Sequence, residues 1–259
     1  MLGAIAGDII GSTREWEPLK STRFELFPDG SRFTDDSVLT IAVAEALLDG
    51  LDLTQQLKRY CLEYPQAGYG GTFIRWAFSA DMKPYGSWGN GSAMRVSSVG
   101  HLFDSVDEVL HHAQRTAEVT HNHPEGIKGA QAVALAILLA RQGASKDEIL
   151  DAIRARAGYP LERTIDEIRP TYAFDVSCAG SVPEAIQAFL EADDYEHAVR
   201  LAVSLGGDSD TQACIAGGIA EEFFGGVPEP IARIARGFLD PPLRAVLDRW
   251  ESRSPAHRP

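Results

Sequence analysis

Gly206-Gly207-Asp208-Ser209-Asp210-Thr211 stands directly before the apolar run Ala213 to Phe224. Far upstream, Thr34-Asp35-Asp36-Ser37 stands directly before Val38 to Leu48. Both stretches read as helix N-termini, because Ser, Thr and Asp side chains accept hydrogen bonds from the free N–H groups of a first turn. Taken singly, each is a cap. In a fold that brings them close, they put four carboxylates into one small volume. Two such charges about 4 Å apart repel by roughly 4 kcal/mol at an effective dielectric near 20. A helix N-terminus returns only about 0.3–1 kcal/mol per favourable charge. Such a cluster needs a cation or raised pKa values. Carboxylates with hydroxyl neighbours and no Cys or His favour a hard, oxygen-seeking ion: Mg²⁺, Mn²⁺ or Ca²⁺.

Outward from these two stretches the chain is punctuated as helices. Met1 to Gly11 is small and apolar, with Gly3, Gly7 and Gly11 on one helical face where a neighbour can approach closely. Asp8 interrupts that stretch and reads as a capping or loop-tying carboxylate rather than a metal ligand. Leu53 to Tyr64, Thr72 to Phe78, Val106 to Val119, Ser145 to Ala157 and Tyr195 to Ser204 are further predicted helices. Asn122 and Glu125, three apart around Pro124, form a predicted capping box for a helix running to Arg141. Ser181-Val182-Pro183-Glu184 reads the same way and opens a helix to about Glu191. Gly158 to Ser177 is irregular. Prolines at 228, 230, 241 and 242 bound short helices over Ile231 to Gly237 and Leu243 to Trp250. With little strand alternation, the pattern predicts an all-α single domain over residues 1–251, followed by a disordered tail over 252–259.

Bulk properties narrow the function. A net charge of −13 argues against nonspecific nucleic-acid or anionic-membrane binding. Cys61, Cys178 and Cys214 have no metal or redox spacing, and the apolar N-terminus lacks a basic region. Reduced thiols and a cytoplasmic location are expected. Ala130 to Ala140 is apolar but too short to span a membrane.

Three smaller signals remain. Gly68-Tyr69-Gly70-Gly71 is a flexible loop. In Tyr85 to Arg95, Gly89, Gly91 and Ser92 suit a tight turn with an N-cap, or N–H groups and a hydroxyl offered to a phosphate. No Walker lysine follows, which excludes a P-loop. His121 and His123 lack the spacing of a helical zinc pair, so His121 reads as a structural hydrogen-bonder. Glu15 reads as a surface carboxylate.

Gly7-Asp8-Ile9-Ile10-Gly11, the following Glu15, Thr34-Asp35-Asp36-Ser37 and Gly207-Asp208-Ser209-Asp210-Thr211 occur in an order that resembles the ADP-ribosylglycohydrolase family. The likeness spreads from Gly3 to about Pro228. It implies a compact orthogonal helical bundle and a hydrolase cleaving the glycosidic bond between ADP-ribose and an attached group, a protein side chain or a small conjugate. It also implies a binuclear Mg²⁺ (or Mn²⁺) centre on Thr34, Asp35, Asp36, Asp208, Asp210 and Thr211. Glu15 or Asp36 would then be the catalytic carboxylate. Gly70 and Gly71, the loop residues Asn90, Gly91 and Ser92, and His121 would contact the substrate. In the second metal motif Ser209 replaces a frequent Thr, keeping the hydroxyl and losing a methyl. Two other expectations fit the same residues: a non-catalytic ADP-ribose-binding relative, and a metal-dependent phosphoesterase or pyrophosphatase.

Overall fold

The computed structural model describes residues 1–253. The chain runs through α1 (Leu2–Gly11), α2 (Asp35–Asp49), α3 (Leu53–Glu63), α4 (Gly71–Ala77), α5 (Gly91–Met94), α6 (Ser97–Leu102), α7 (Val106–Glu118) and α8 (Pro124–Arg141). It continues through α9 (Lys146–Ala157), α10 (Ile165–Ile168), α11 (Cys178–Glu191), α12 (Tyr195–Val203), α13 (Ser209–Phe223), α14 (Glu229–Phe238) and α15 (Pro241–Arg253). Among the described residues there is no strand, only one backbone pairing between Gly89 and Ser177. The all-α expectation therefore holds. Of the predicted tail, Ser252 and Arg253 continue α15, and 254–259 lie outside the described residues.

Helix α13 is the axis of the bundle. It packs against α1, α12, α11 and α8, and nearly all of its residues are buried. Its closest partner is α1, and the glycine stripe explains why. A Cβ at Gly3 would lie 2.5 Å from the Gly217 carbonyl oxygen, one at Gly7 2.0 Å from that of Ala213, and one at Gly11 2.4 Å from that of Ser209. Only hydrogen fits at these three points, so the two backbones touch. The register is antiparallel: the end of α1 meets the start of α13. Ile5, Ile9 and Ile10 are buried on other faces of α1, each worth roughly 1.5–3 kcal/mol of apolar burial.

Asp8 points from α1 to the start of α2. Its carboxylate accepts from Thr34 N (2.9 Å), Thr34 Oγ1 (2.6 Å) and Ser37 N (3.1 Å), and from the Ser37 hydroxyl. This is the tying role expected of it. One helix end (α1) and two helix beginnings (α2, α13) are thus drawn to one place.

Helices α14 and α15 open at Glu229 and Pro241, taking Pro230, Pro241 and Pro242 into their first turns, where a missing N–H costs nothing, and α10 interrupts the stretch expected to be irregular. Two further starts differ from expectation. Helix α11 begins at Cys178, capped by Ser177, whose Oγ accepts from Gly180 N at 2.9 Å; Pro183 lies inside it. The cause is tertiary. Cys178 N donates to Trp88 O, and Cys178 packs against Gly129 of α8, which favours a turn before the proline. The second start is that of α8, capped by His123, whose Nδ1 accepts from Glu125 N; Asn122 instead accepts from Gly86 N.

Candidate active site

The two acidic helix N-termini meet on the wall of a cavity of about 680 Å³. Twelve of the expected site residues line it: Glu15, Thr34, Asp35, Asp36, Gly70, Gly71, Asn90, Gly91, His121, Asp208, Asp210 and Thr211. Ser92 does not. It is fully buried, and its hydroxyl donates to the Gly126 carbonyl at 2.7 Å. Asn90 reaches the cavity, but its side-chain amide is turned to Asp208 Oδ2 (2.8 Å) and Ser181 Oγ (3.1 Å).

The start of α2 is capped: Thr34 Oγ1 accepts from Asp36 N at 3.2 Å. Together Thr34 and Asp8 satisfy the first turn, which releases the Asp36 carboxylate. Asp36 Oδ2 accepts from Thr211 Oγ1 at 3.3 Å, and Oδ1 is buried with no partner. At the start of α13 the N-cap residue Asp208 makes no capping bond at all. Its carboxylate is held sideways by Asn90.

The consequence is a concentration of negative charge. Burial, and then the charge of Asp210, hold Asp35 and Asp36 well above the usual carboxylate range. Asp210 is raised likewise, by burial and then by Asp208. Burial pushes Asp208 up to about 6, and burial with Asp210 pushes half-buried Glu15 up to about 7. Burial also raises Asp8, against the pull of its four hydrogen bonds.

Carboxylate oxygens of Asp8, Asp36 and Asp210 lie within 4.8 Å of one another. An octahedral shell with ~2.1 Å bonds spans about 4 Å between opposite oxygens, so the three sit near the width of one shell. An orphaned, buried Asp36 oxygen among raised carboxylates fits a hard cation. Thr34 and Thr211 adjoin the cluster through Asp8 and Asp36. In sequence Asp8 reads only as a tie. Its place in the triad depends on the close α1–α13 approach, which one helix's periodicity does not reveal.

Other cavity residues were not singled out in sequence. Trp16 and Phe174 stack with ring centroids 5.7 Å apart, and they and the exposed Trp88 line the cavity. An exposed aromatic next to Glu15 or between glycines is the signal that would have marked them. Arg95 is fully buried in the wall. Cys61, Cys178 and Cys214 are free and buried. Among the described residues no helix is long and apolar enough to cross a membrane.

Comparison with known proteins points the same way. Human ADP-ribosylhydrolase ARH3 is 27% identical, over 95% of this chain and 90% of its own. The ADP-ribosylarginine hydrolase Tri1 of Pseudomonas putida strain GB-1 is 25% identical, over 87% of this chain and 69% of its own. A solved structure from an ADP-ribosylglycohydrolase-related protein complex superposes with a TM-score of 0.72 at 26% identity, covering 98% of this chain and 97% of that one. The family model described as ADP-ribosylglycohydrolase matches residues 1–231. That span holds both acidic helix ends and the glycine-striped α1, and the chain belongs to the ADP-ribosylglycohydrolase family.

Proposed function

We propose that the protein is a divalent-cation-dependent hydrolase that cleaves the glycosidic bond between ADP-ribose and an attached group, releasing ADP-ribose. The observation that carries this reading is the meeting of two helix N-termini, with their buried carboxylates, on one cavity wall. The cavity volume of about 680 Å³ falls in the range of roughly 300–1,000 Å³ usual for small-molecule sites. The hydrolase names of relatives such as ARH3 and Tri1 support the substrate class.

Asp35, Asp36, Asp208, Asp210, Thr34 and Thr211 would hold two Mg²⁺ or Mn²⁺ ions, with Asp8 behind them. When bound, such ions fix ribose hydroxyls and lower the pKa of a coordinated water. Breaking the bond builds positive charge at the anomeric carbon, and the surrounding carboxylates stabilise it. Glu15 stands at the cavity with its pKa at about 7, where a carboxyl can both take and give a proton. Asp36 is the other candidate, through its unpartnered oxygen. Asn90 orients Asp208 and so acts on the cluster rather than on the ligand directly. The backbones of Gly70, Gly71 and Gly91 line the cavity without side chains and suit close contact with a diphosphate.

The test is mass spectrometry of products from a panel of ADP-ribose conjugates, with Mg²⁺ and with chelator. Release of ADP-ribose only with Mg²⁺ is the expected result. AMP would point to a phosphoesterase instead, and binding without any product to a non-catalytic receptor.

A further inference from the structure

Arg95 follows α5 and is wholly buried, yet no carboxylate reaches it within hydrogen-bond distance. Its Nη2 donates to Thr116 O (3.1 Å) and to Thr120 Oγ1 (2.8 Å). The Thr120 hydroxyl lies 2.7 Å from His121 Nδ1. Backbone bonds from Thr120 N and His121 N to Ala117 O fix both residues at the end of α7. On its far side, the imidazole edge lies against the glycine loop. A Cβ at Gly91 would sit 3.2 Å from His121 Nε2, and one at Gly89 3.7 Å.

Proton counting orders this chain. Arginine carries donors only, and a hydroxyl has a single proton. Thr120 Oγ1 therefore accepts from Arg95 and has one proton to give. Sending that proton to His121 Nδ1 joins the Arg95 Nη2, the Thr120 hydroxyl and the imidazole in one chain of donation. The positive charge of Arg95 polarises the Thr120 O–H and strengthens that donation. It also opposes a second positive charge on the imidazole, which burial already holds neutral.

We propose that Arg95 and Thr120 are positioning residues that lock His121 in the tautomer protonated on Nε2, presenting that N–H across the Gly89–Gly91 loop to a phosphate or ribose oxygen. The proposal rests on the reading of the cavity as a site for ADP-ribose. It assigns a task to a buried arginine that makes no ion pair. A histidine that merely fills space would need no defined tautomer.

The tautomer is read directly from proton–nitrogen correlation spectra of histidine-labelled protein, with His121→Gln used to identify the signal. Wild type is expected to show neutral, Nε2-protonated His121 both without ligand and with ADP-ribose. Thr120→Val, similar in shape without the hydroxyl, should lose the single-tautomer signature and weaken ADP-ribose binding about tenfold. Thr120→Ser should restore both to within about threefold. Nδ1-protonated or charged His121 in wild type overturns the proposal, as does a Thr120→Val protein with wild-type spectrum and affinity. Because the spectrum is recorded without ligand, correct tautomers with no ADP-ribose binding would reject the proposed function and leave the lock standing.

Discussion

The beginnings of α2 and α13 are made of the same residues and are used differently. At α2, Thr34 accepts from the Asp36 amide, and Asp8 of another helix takes the Thr34 and Ser37 amides. At α13, Asp208 occupies the cap position and caps nothing. One terminus is finished by a neighbour, and the other is left open. Asp36 and Asp208 are thereby relieved of the work that Asp usually does at a helix start, while Asp210 still accepts from Thr211 N at 3.0 Å. Ser145 and Glu148 at α9 form the ordinary counterpart: a closed capping box whose hydrogen bonds hold the Glu148 carboxyl below its usual range. The direction of the pKa change thus separates a helix start built for stability from one built to collect charge.

The largest test of this contrast is Asp208→Asn. Turnover of an ADP-ribose conjugate in Mg²⁺ should fall by about a thousandfold or more. The metal-free fold should lose no stability, because no capping bond is removed. Thermal melts with chelator and with saturating Mg²⁺ read the second half, since weaker ion binding shrinks the Mg²⁺-induced rise. A mutant with wild-type activity and Mg²⁺ response would make Asp208 a bystander. Next in size is Glu15→Gln. Turnover should drop about 100-fold or more while ADP-ribose affinity, measured by calorimetry, changes little. Equal losses in both would make Glu15 a binding group.

Asp8→Ala attacks the finished terminus. It leaves the buried Thr34 and Ser37 amides without an acceptor, so urea unfolding should show a loss of about 2–4 kcal/mol. Loss of activity at unchanged stability would recast Asp8 as purely a cation ligand. The smallest expected effect is in pH. A carboxylate whose pKa is raised by folding binds its proton more tightly in the native state. Its contribution favours the native state below about pH 4 and is lost as pH rises through the folded value. Asp208 moves from 3.8 to about 6. With chelator, Asp208→Asn should therefore gain stability relative to wild type between pH 4.5 and 7.5, by at most about 3 kcal/mol. A constant difference across that window would mean Asp208 titrates alike in the folded and unfolded chains.

Much of this was legible along the chain. Cap chemistry marked both acidic helix starts, and the glycine spacing of α1 announced a close neighbour. The Asp8 tie was also readable as a polar residue in an apolar stretch. What was not legible depended on contacts between distant residues. Local capping rules placed the start of α11 at Ser181, but a pairing of Cys178 with Trp88 moves it one turn earlier. The Ser92 hydroxyl, at a helix start beside Gly91, suits a phosphate contact in sequence, yet it donates to the Gly126 carbonyl of α8. Nothing near Arg95 in sequence shows that Thr120 and His121 will lie against it.

The contact between α1 and α13 also works as a vernier. Three missing side chains on α1 face the carbonyls of Gly217, Ala213 and Ser209, and only this alignment seats all three together. A slip of one helical turn would carry Asp8 about 5.4 Å along the axis, out of reach of Thr34, Ser37 and the other carboxylates. Anyone grafting this acidic centre into a designed bundle must therefore copy the bald face of α1 before any aspartate. The positions of the charges are dictated from the far side of that helix, by atoms that carry no charge.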